Sequence, residues 1–80
     1  FNPSEIIISS LQNNTEIFVI NSSNYSKLNF KIYNVLGNLI EERVLYDSET
    51  KLNFDLATGT YIITIDSNRQ ILKSKKIVAL

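Results

Sequence analysis

The chain has no cysteine, no histidine, no methionine and no tryptophan, and it holds one proline and two glycines in 80 residues. Without cysteine no disulfide can staple the fold, and a cysteine-based metal site is excluded. Without histidine as well, the usual nucleophile–base pairs and most transition-metal sites disappear. The two glycines, Gly37 and Gly59, stand too far apart to form a glycine-rich phosphate loop. Charge of one sign is also missing: eight basic and eight acidic residues cancel. That argues against a general nucleic-acid binder, which would carry a basic excess on one face. No apolar run approaches the roughly 20 residues of a membrane-spanning helix.

What is present is a core in waiting. Hydrophobic residues make up 44% of the chain and include eight aromatics. A chain this short buries only about 60% of its unfolded surface, so a single apolar core must supply its stability. Residues 1–80 are therefore expected to form one domain. The sequence opens at Phe1-Asn2-Pro3 with no leader pattern, as a fragment would, and is expected to be the tail of something larger.

The apolar residues recur with period two, in bursts separated by turn-forming residues. Ser4–Ser9 is the first burst, with Ile6 and Ile8 on one face, and Thr15–Ile20 is the second. Leu28, Phe30 and Ile32 alternate with Asn29, Lys31 and Tyr33 in the third. Leu39–Tyr46 is the fourth, and Leu52, Phe54 and Leu56 mark a fifth from Lys51. Tyr61, Ile63 and Ile65 define the sixth, and the last runs from Arg69 to Leu80. Nothing between them is long enough for a crossover helix, so the pattern predicts an all-β, antiparallel β-sandwich of about seven strands. Val35–Tyr46 also fits a helix, with Leu36, Leu39, Ile40 and Arg43 at helical spacing. Gly37 and the β-branched Ile40 and Val44 weigh against it. Gly37 falls between the third and fourth strands, where a hairpin needs positive φ, and Gly59 immediately precedes the sixth.

Candidate chemistry is sparse. Glu41 and Glu42 are adjacent, so on a strand they face opposite sides and cannot share a proton. Asp47 and Glu49 flank a loop, but two carboxylates are too few for a calcium site. Tyr25, Tyr33, Tyr46 and Tyr61 could build a sugar-stacking platform only in a favourable register, and Tyr61 reads as core. Asn13, Asn21 and Asn24 each begin an Asn-X-Ser/Thr triplet, a chance product of an Asn- and Ser-rich chain that marks loops. No catalytic activity and no cofactor are expected.

Four pieces, in order, carry a resemblance. They are Asn2-Pro3-Ser4 before the Ile6-Ile7-Ile8 strand, the run Phe30–Ile40 with Tyr33-Asn34-Val35-Leu36-Gly37 at its centre, Leu56-Ala57-Thr58-Gly59-Thr60-Tyr61, and the ending Lys73-Ser74-Lys75-Lys76-Ile77-Val78-Ala79-Leu80. Together they resemble the type A C-terminal sorting domains of the type IX secretion system. The chain departs from the family pattern in Phe1, where proline is frequent, and in Asn34, where aspartate is commoner.

The resemblance implies an immunoglobulin-like sandwich without activity of its own, which directs an N-terminal passenger of the same chain through the outer-membrane translocon. Its implied partners are that translocon and its shuttle and sortase-like components. The passenger would cross the periplasm and be displayed at the cell surface or secreted, with removal of the domain by a sortase-like protease. The recognition residues are expected in the last strand: Lys73, Lys75 and Lys76 keep it soluble, and the apolar Ile77, Val78, Ala79 and Leu80 suit capture by a groove or by a partner's sheet edge. In the plainer reading Ile77 and Val78 complete the sandwich and the lysines are a solvated face. A different class of function, an immunoglobulin- or fibronectin-like binding or spacer module of an adhesin or polysaccharide-degrading enzyme, fits the same strands. Gly37→Val is expected to cost about 1–2 kcal/mol through left-handed backbone strain; equal denaturation midpoints for mutant and parent would contradict this.

Overall fold

The computed structural model describes residues 6–11 and 16–80. Seven strands follow one another: β1 (Ile6–Leu11), β2 (Glu16–Asn21), β3 (Leu28–Asn34), β4 (Leu39–Leu45), β5 (Glu49–Asn53), β6 (Gly59–Ser67) and β7 (Gln70–Ala79). They form a three-stranded sheet of order β1-β2-β5 and a four-stranded sheet of order β4-β3-β6-β7, antiparallel throughout. This is the small antiparallel sandwich of seven strands that the alternating pattern predicts, with the immunoglobulin-like strand order that the resemblance implies.

Period-two patterning decides which face of each strand is buried. Ile6 and Ile8 of β1 and Ile17 and Val19 of β2 turn inward from the smaller sheet. Leu28, Phe30 and Ile32 of β3, Tyr61, Ile63 and Ile65 of β6, and Ile77 and Ala79 of β7 meet them from the larger one. Each fully buried Ile, Leu or Phe contributes roughly 1.5–3 kcal/mol of burial free energy. The Val35–Tyr46 segment is a turn followed by a strand rather than a helix, because β4 pairs with β3 from Leu28↔Leu45 to Tyr33↔Leu39.

The fifth strand is displaced from its expected position. Its ladder with β2 runs from Ile20↔Glu49 to Glu16↔Asn53, so β5 starts before Lys51 and ends before Phe54. Phe54 and Leu56 remain buried although they lie beyond the ladder, on the connection that carries the chain between the sheets. Phe54 stacks on Phe30 with ring centroids 5.7 Å apart, and the Arg43 guanidinium covers its ring at 5.2 Å. At the end of the same connection Tyr61 donates its hydroxyl to the carbonyl of Ala57 at 2.7 Å. That is the tyrosine-corner arrangement of immunoglobulin-like sandwiches, fixing where the chain enters the strand.

The two outer strands of the four-stranded sheet are both disrupted. Pairing shifts register between Ile32 and Tyr33 against β4, and between Ile65 and Asp66 against β7. Charged residues also occupy inward-facing positions there. Glu41 and Arg43 lie opposite the buried Ile32 and Phe30, and Lys73 and Lys75 lie opposite the buried Ile65 and Ile63. Bulges and inward-pointing charges on an edge oppose edge-to-edge pairing with another chain. At the β6–β7 hairpin Asn68 and Arg69 take φ of +52° and +66°, the pair of positive angles that a two-residue turn of type I′ requires.

Tyr61→Phe removes the corner hydrogen bond while keeping the ring. It is expected to lower unfolding free energy by about 1–2 kcal/mol, read from denaturant midpoints. A midpoint equal to the parent's would show that the corner contributes nothing.

Candidate recognition face

The β3–β4 hairpin is built by Asn34. Its side-chain Oδ1 accepts the backbone N–H groups of Leu36 and Asn38, each at 3.0 Å. Its backbone carbonyl accepts the N–H of Gly37 at 3.0 Å, and its own N–H donates to Asn38 O at 3.0 Å. The result is a three-residue loop closed by Gly37 at φ +87°, a conformation that favours glycine. A Cβ built on Gly37 would meet nothing within 4 Å, so a side chain there is resisted by backbone strain and not by a clash. With the N–H groups of Leu36, Gly37 and Asn38 bonded within it, the loop presents Val35 and Leu36 to solvent, 69% and 82% exposed.

Register then brings distant segments beside this loop. Asn34 lies opposite Tyr61, Thr60 opposite Val78, and Ile62 opposite both Tyr33 and Lys76. Between them lies an open, mainly apolar hollow lined by Tyr33, Asn34, Val35, Gly37, Thr60, Ile62 and Lys76. Three of the four segments singled out in the sequence therefore meet at one end of the sandwich: Tyr33–Gly37, Gly59–Tyr61 and the late part of β7. The fourth, Asn2-Pro3-Ser4, lies outside the described residues.

The residues expected to be recognised do not form one surface. Ile77 and Ala79 are buried in the core, and Lys76, Val78 and Leu80 are exposed. Lys73 and Lys75 share the inner side of β7 with Ile77 and Ala79, while Lys76 stands on the outer face beside Ile62. Lys75 donates through Nζ to the carbonyl of Ile8 at 3.0 Å, joining β7 to β1 across the gap between the sheets. Gly59 opens β6 at φ +158°, a conformation that L side chains rarely adopt, although a Cβ there would meet nothing closer than 3.9 Å.

The other candidates disperse. Among the described residues no three acidic groups cluster as metal ligands would. Tyr61 is core and Tyr25 packs against it, whereas Tyr33 and Tyr46 belong to opposite ends of the β3–β4 hairpin, so the tyrosines make no row. Asn21 organises the β2–β3 connection: Oδ1 accepts from Ser23 N at 2.9 Å and from Ser23 Oγ, and Nδ2 donates to Tyr25 O at 2.9 Å. Asn13 lies outside the described residues.

Sequence reasoning missed the outward side of the site. Tyr33, Val35, Thr60 and Ile62 are the non-core partners in the alternation, and parity alone would have placed them there. It also missed how the cancelling charges divide. Residues 1–66 hold four basic and eight acidic groups, and residues 67–80 hold four basic and none acidic. Ion pairs between described residues join Lys31 to Glu42 and Asp66, Arg43 to Glu41, and Lys51 to Glu16. None uses Arg69, Lys73, Lys75 or Lys76.

The fold defines an immunoglobulin-like sandwich with its distinctive residues gathered on a face and an adjoining loop. The family model described as secretion system C-terminal sorting domain matches residues 5–79, and the chain belongs to that family, the type IX sorting domains. No curated protein matches the chain. The family's domains are sorting signals, generally non-catalytic, of proteins exported across the outer membrane.

Asn34→Ala removes the acceptor for two loop N–H groups and is expected to cost about 1 kcal/mol, whereas Asn34→Asp keeps an acceptor at the same place and stays near the parent. Equal losses for the two variants in thermal unfolding would contradict the role given to Oδ1.

Proposed function

We propose that residues 1–80 act together as the folded address of an exported passenger. The passenger lies N-terminal to the sandwich and is delivered from the periplasm to the type IX translocon. There the domain is handed to shuttle and sortase-like components, and a sortase-like protease removes it as the passenger reaches the cell surface or the medium. The domain contributes shape and surface, not chemistry.

The observation that carries this reading is the convergence of the Tyr33–Gly37, Gly59–Tyr61 and late β7 segments on one hollow. These are the pieces by which the chain resembles its family, and the β3–β6 and β6–β7 ladders that build the sheet also bring their outward residues together. Tyr61, Ile77 and Ala79 hold the core. Val35, Thr60, Ile62 and Lys76 around them are solvent-facing or half-buried and are accessible to a partner. Lys73, Lys75, Lys76, Ile77, Val78, Ala79 and Leu80 thus divide between supporting the face and forming it.

A periplasmic reporter followed by residues 1–80 is expected at the cell surface, and the same fusion without Lys76–Leu80 is expected to remain in the periplasm. Circular dichroism of both fusions reports how much folded structure is lost with Ile77 and Ala79. Retention of the intact, folded fusion in the periplasm would overturn the proposal.

A further inference from the structure

The charge map points to the chemistry of the partner. The four basic groups of residues 67–80 lie on or beside β7, with no acidic residue in that stretch. At the opposite edge of the same sheet β4 carries Glu41, Glu42 and Arg43, and Asp47 follows it. One edge strand of the sheet is therefore purely basic and the other mixed with an acidic excess, even though the chain as a whole is neutral. Such a distribution attracts a carboxylate-bearing surface to one side and repels it from the other, which favours one approach and orientation.

Where that surface would dock follows from the shape of the two available places. The edges of the four-stranded sheet are bulged and carry inward-pointing charges, which disfavours addition of a partner strand. The hollow beside β7 is open. Its floor and walls include Tyr33, Val35 and Ile62, with Thr60 alongside and Lys76 as the one charged group in the lining. Among the described residues Lys76 makes no ion pair. An apolar recess with a single unpaired cation at its rim complements an apolar side chain with a carboxylate beside it. A concave recess of this kind suits a protruding side chain better than the flat array of headgroups on an anionic membrane.

We propose that the hollow between the β3–β4 loop and β7 receives an apolar side chain flanked by carboxylates, presented by an extended segment of a protein partner, with Lys76 as the charge contact. The inference rests on the chain acting as a sorting address and supplies the chemistry of the surface that reads it.

The probe is a capped hexapeptide of alternating glutamate and leucine, titrated into residues 1–80 and followed by backbone amide shifts. Shifts are expected at Val35, Gly37, Thr60, Ile62 and Lys76, with affinity falling about tenfold from low to high salt. Lys76→Glu should abolish them and Lys51→Glu, on the other sheet, should leave them. No shifts with this peptide, equal shifts with a lysine–leucine peptide, or shifts produced instead by phosphatidylglycerol–phosphatidylcholine vesicles would each overturn the proposal. Export of the reporter fusion separates the two readings. Lost export in Lys76→Glu without peptide shifts contradicts the partner chemistry alone. Peptide binding in the parent with normal export in Lys76→Glu contradicts the use of this hollow as the address.

Discussion

Every strand in this sandwich has to commit one face to the core. A chain of 80 residues without a disulfide has no other source of stability, and its core draws on every strand: buried residues from six of them, and Leu52 of β5 packed against the cluster. That commitment fixes what is left exposed. Ile77 and Ala79 belong to the core, so the late part of the last strand offers solvent only its alternate residues and its end. The same constraint explains why the hairpin loop matters. Asn34 accepts the N–H groups of Leu36, Gly37 and Asn38, so the turn is held by Asn34 while Val35 and Leu36 stand in solvent.

The unequal widths of the sheets set the second condition. A four-stranded layer over a three-stranded one leaves edge positions without a facing strand. Those positions hold Glu41, Arg43, Lys73 and Lys75 rather than apolar residues. Arg43 uses its reach to cover Phe54, and Lys75 uses its reach to bond the Ile8 carbonyl. Long charged side chains thus seal the seam with their stems and keep the edges unattractive to other strands. A protein held unpaired between synthesis and export benefits from edges that do not aggregate.

Much of this was legible in the sequence, and the reasons differ by element. The runs Leu28-Phe30-Ile32 and Tyr61-Ile63-Ile65 announce strands because period two in a half-buried sheet leaves little choice of face. The Asn34–Gly37 turn is legible because a hairpin needs positive φ. The end of β5 was not, because Phe54 and Leu56 keep the alternation after the ladder with β2 has ended; burial, not pairing, sustains the pattern. The turn at Asn68-Arg69 was also hidden, since arginine at φ +66° carries no glycine signal. The grouping of Lys73, Lys75 and Lys76 as one set overlooked parity, which assigns the first two to the inner side and the third to the outer. The hollow itself depends on the registers of β3, β6 and β7 together, and no single segment encodes it.

The central claim is that the address is a face assembled from separate segments and not the last strand alone. It is tested most directly at the segment furthest in sequence from that strand. A reporter fusion carrying Val35→Asp and Leu36→Asp alters only exposed loop positions, so its unfolding free energy should stay within about 0.5 kcal/mol of the parent's. If the face is the address, this folded fusion accumulates in the periplasm. Normal surface display with an unchanged midpoint would show that the loop is not part of it.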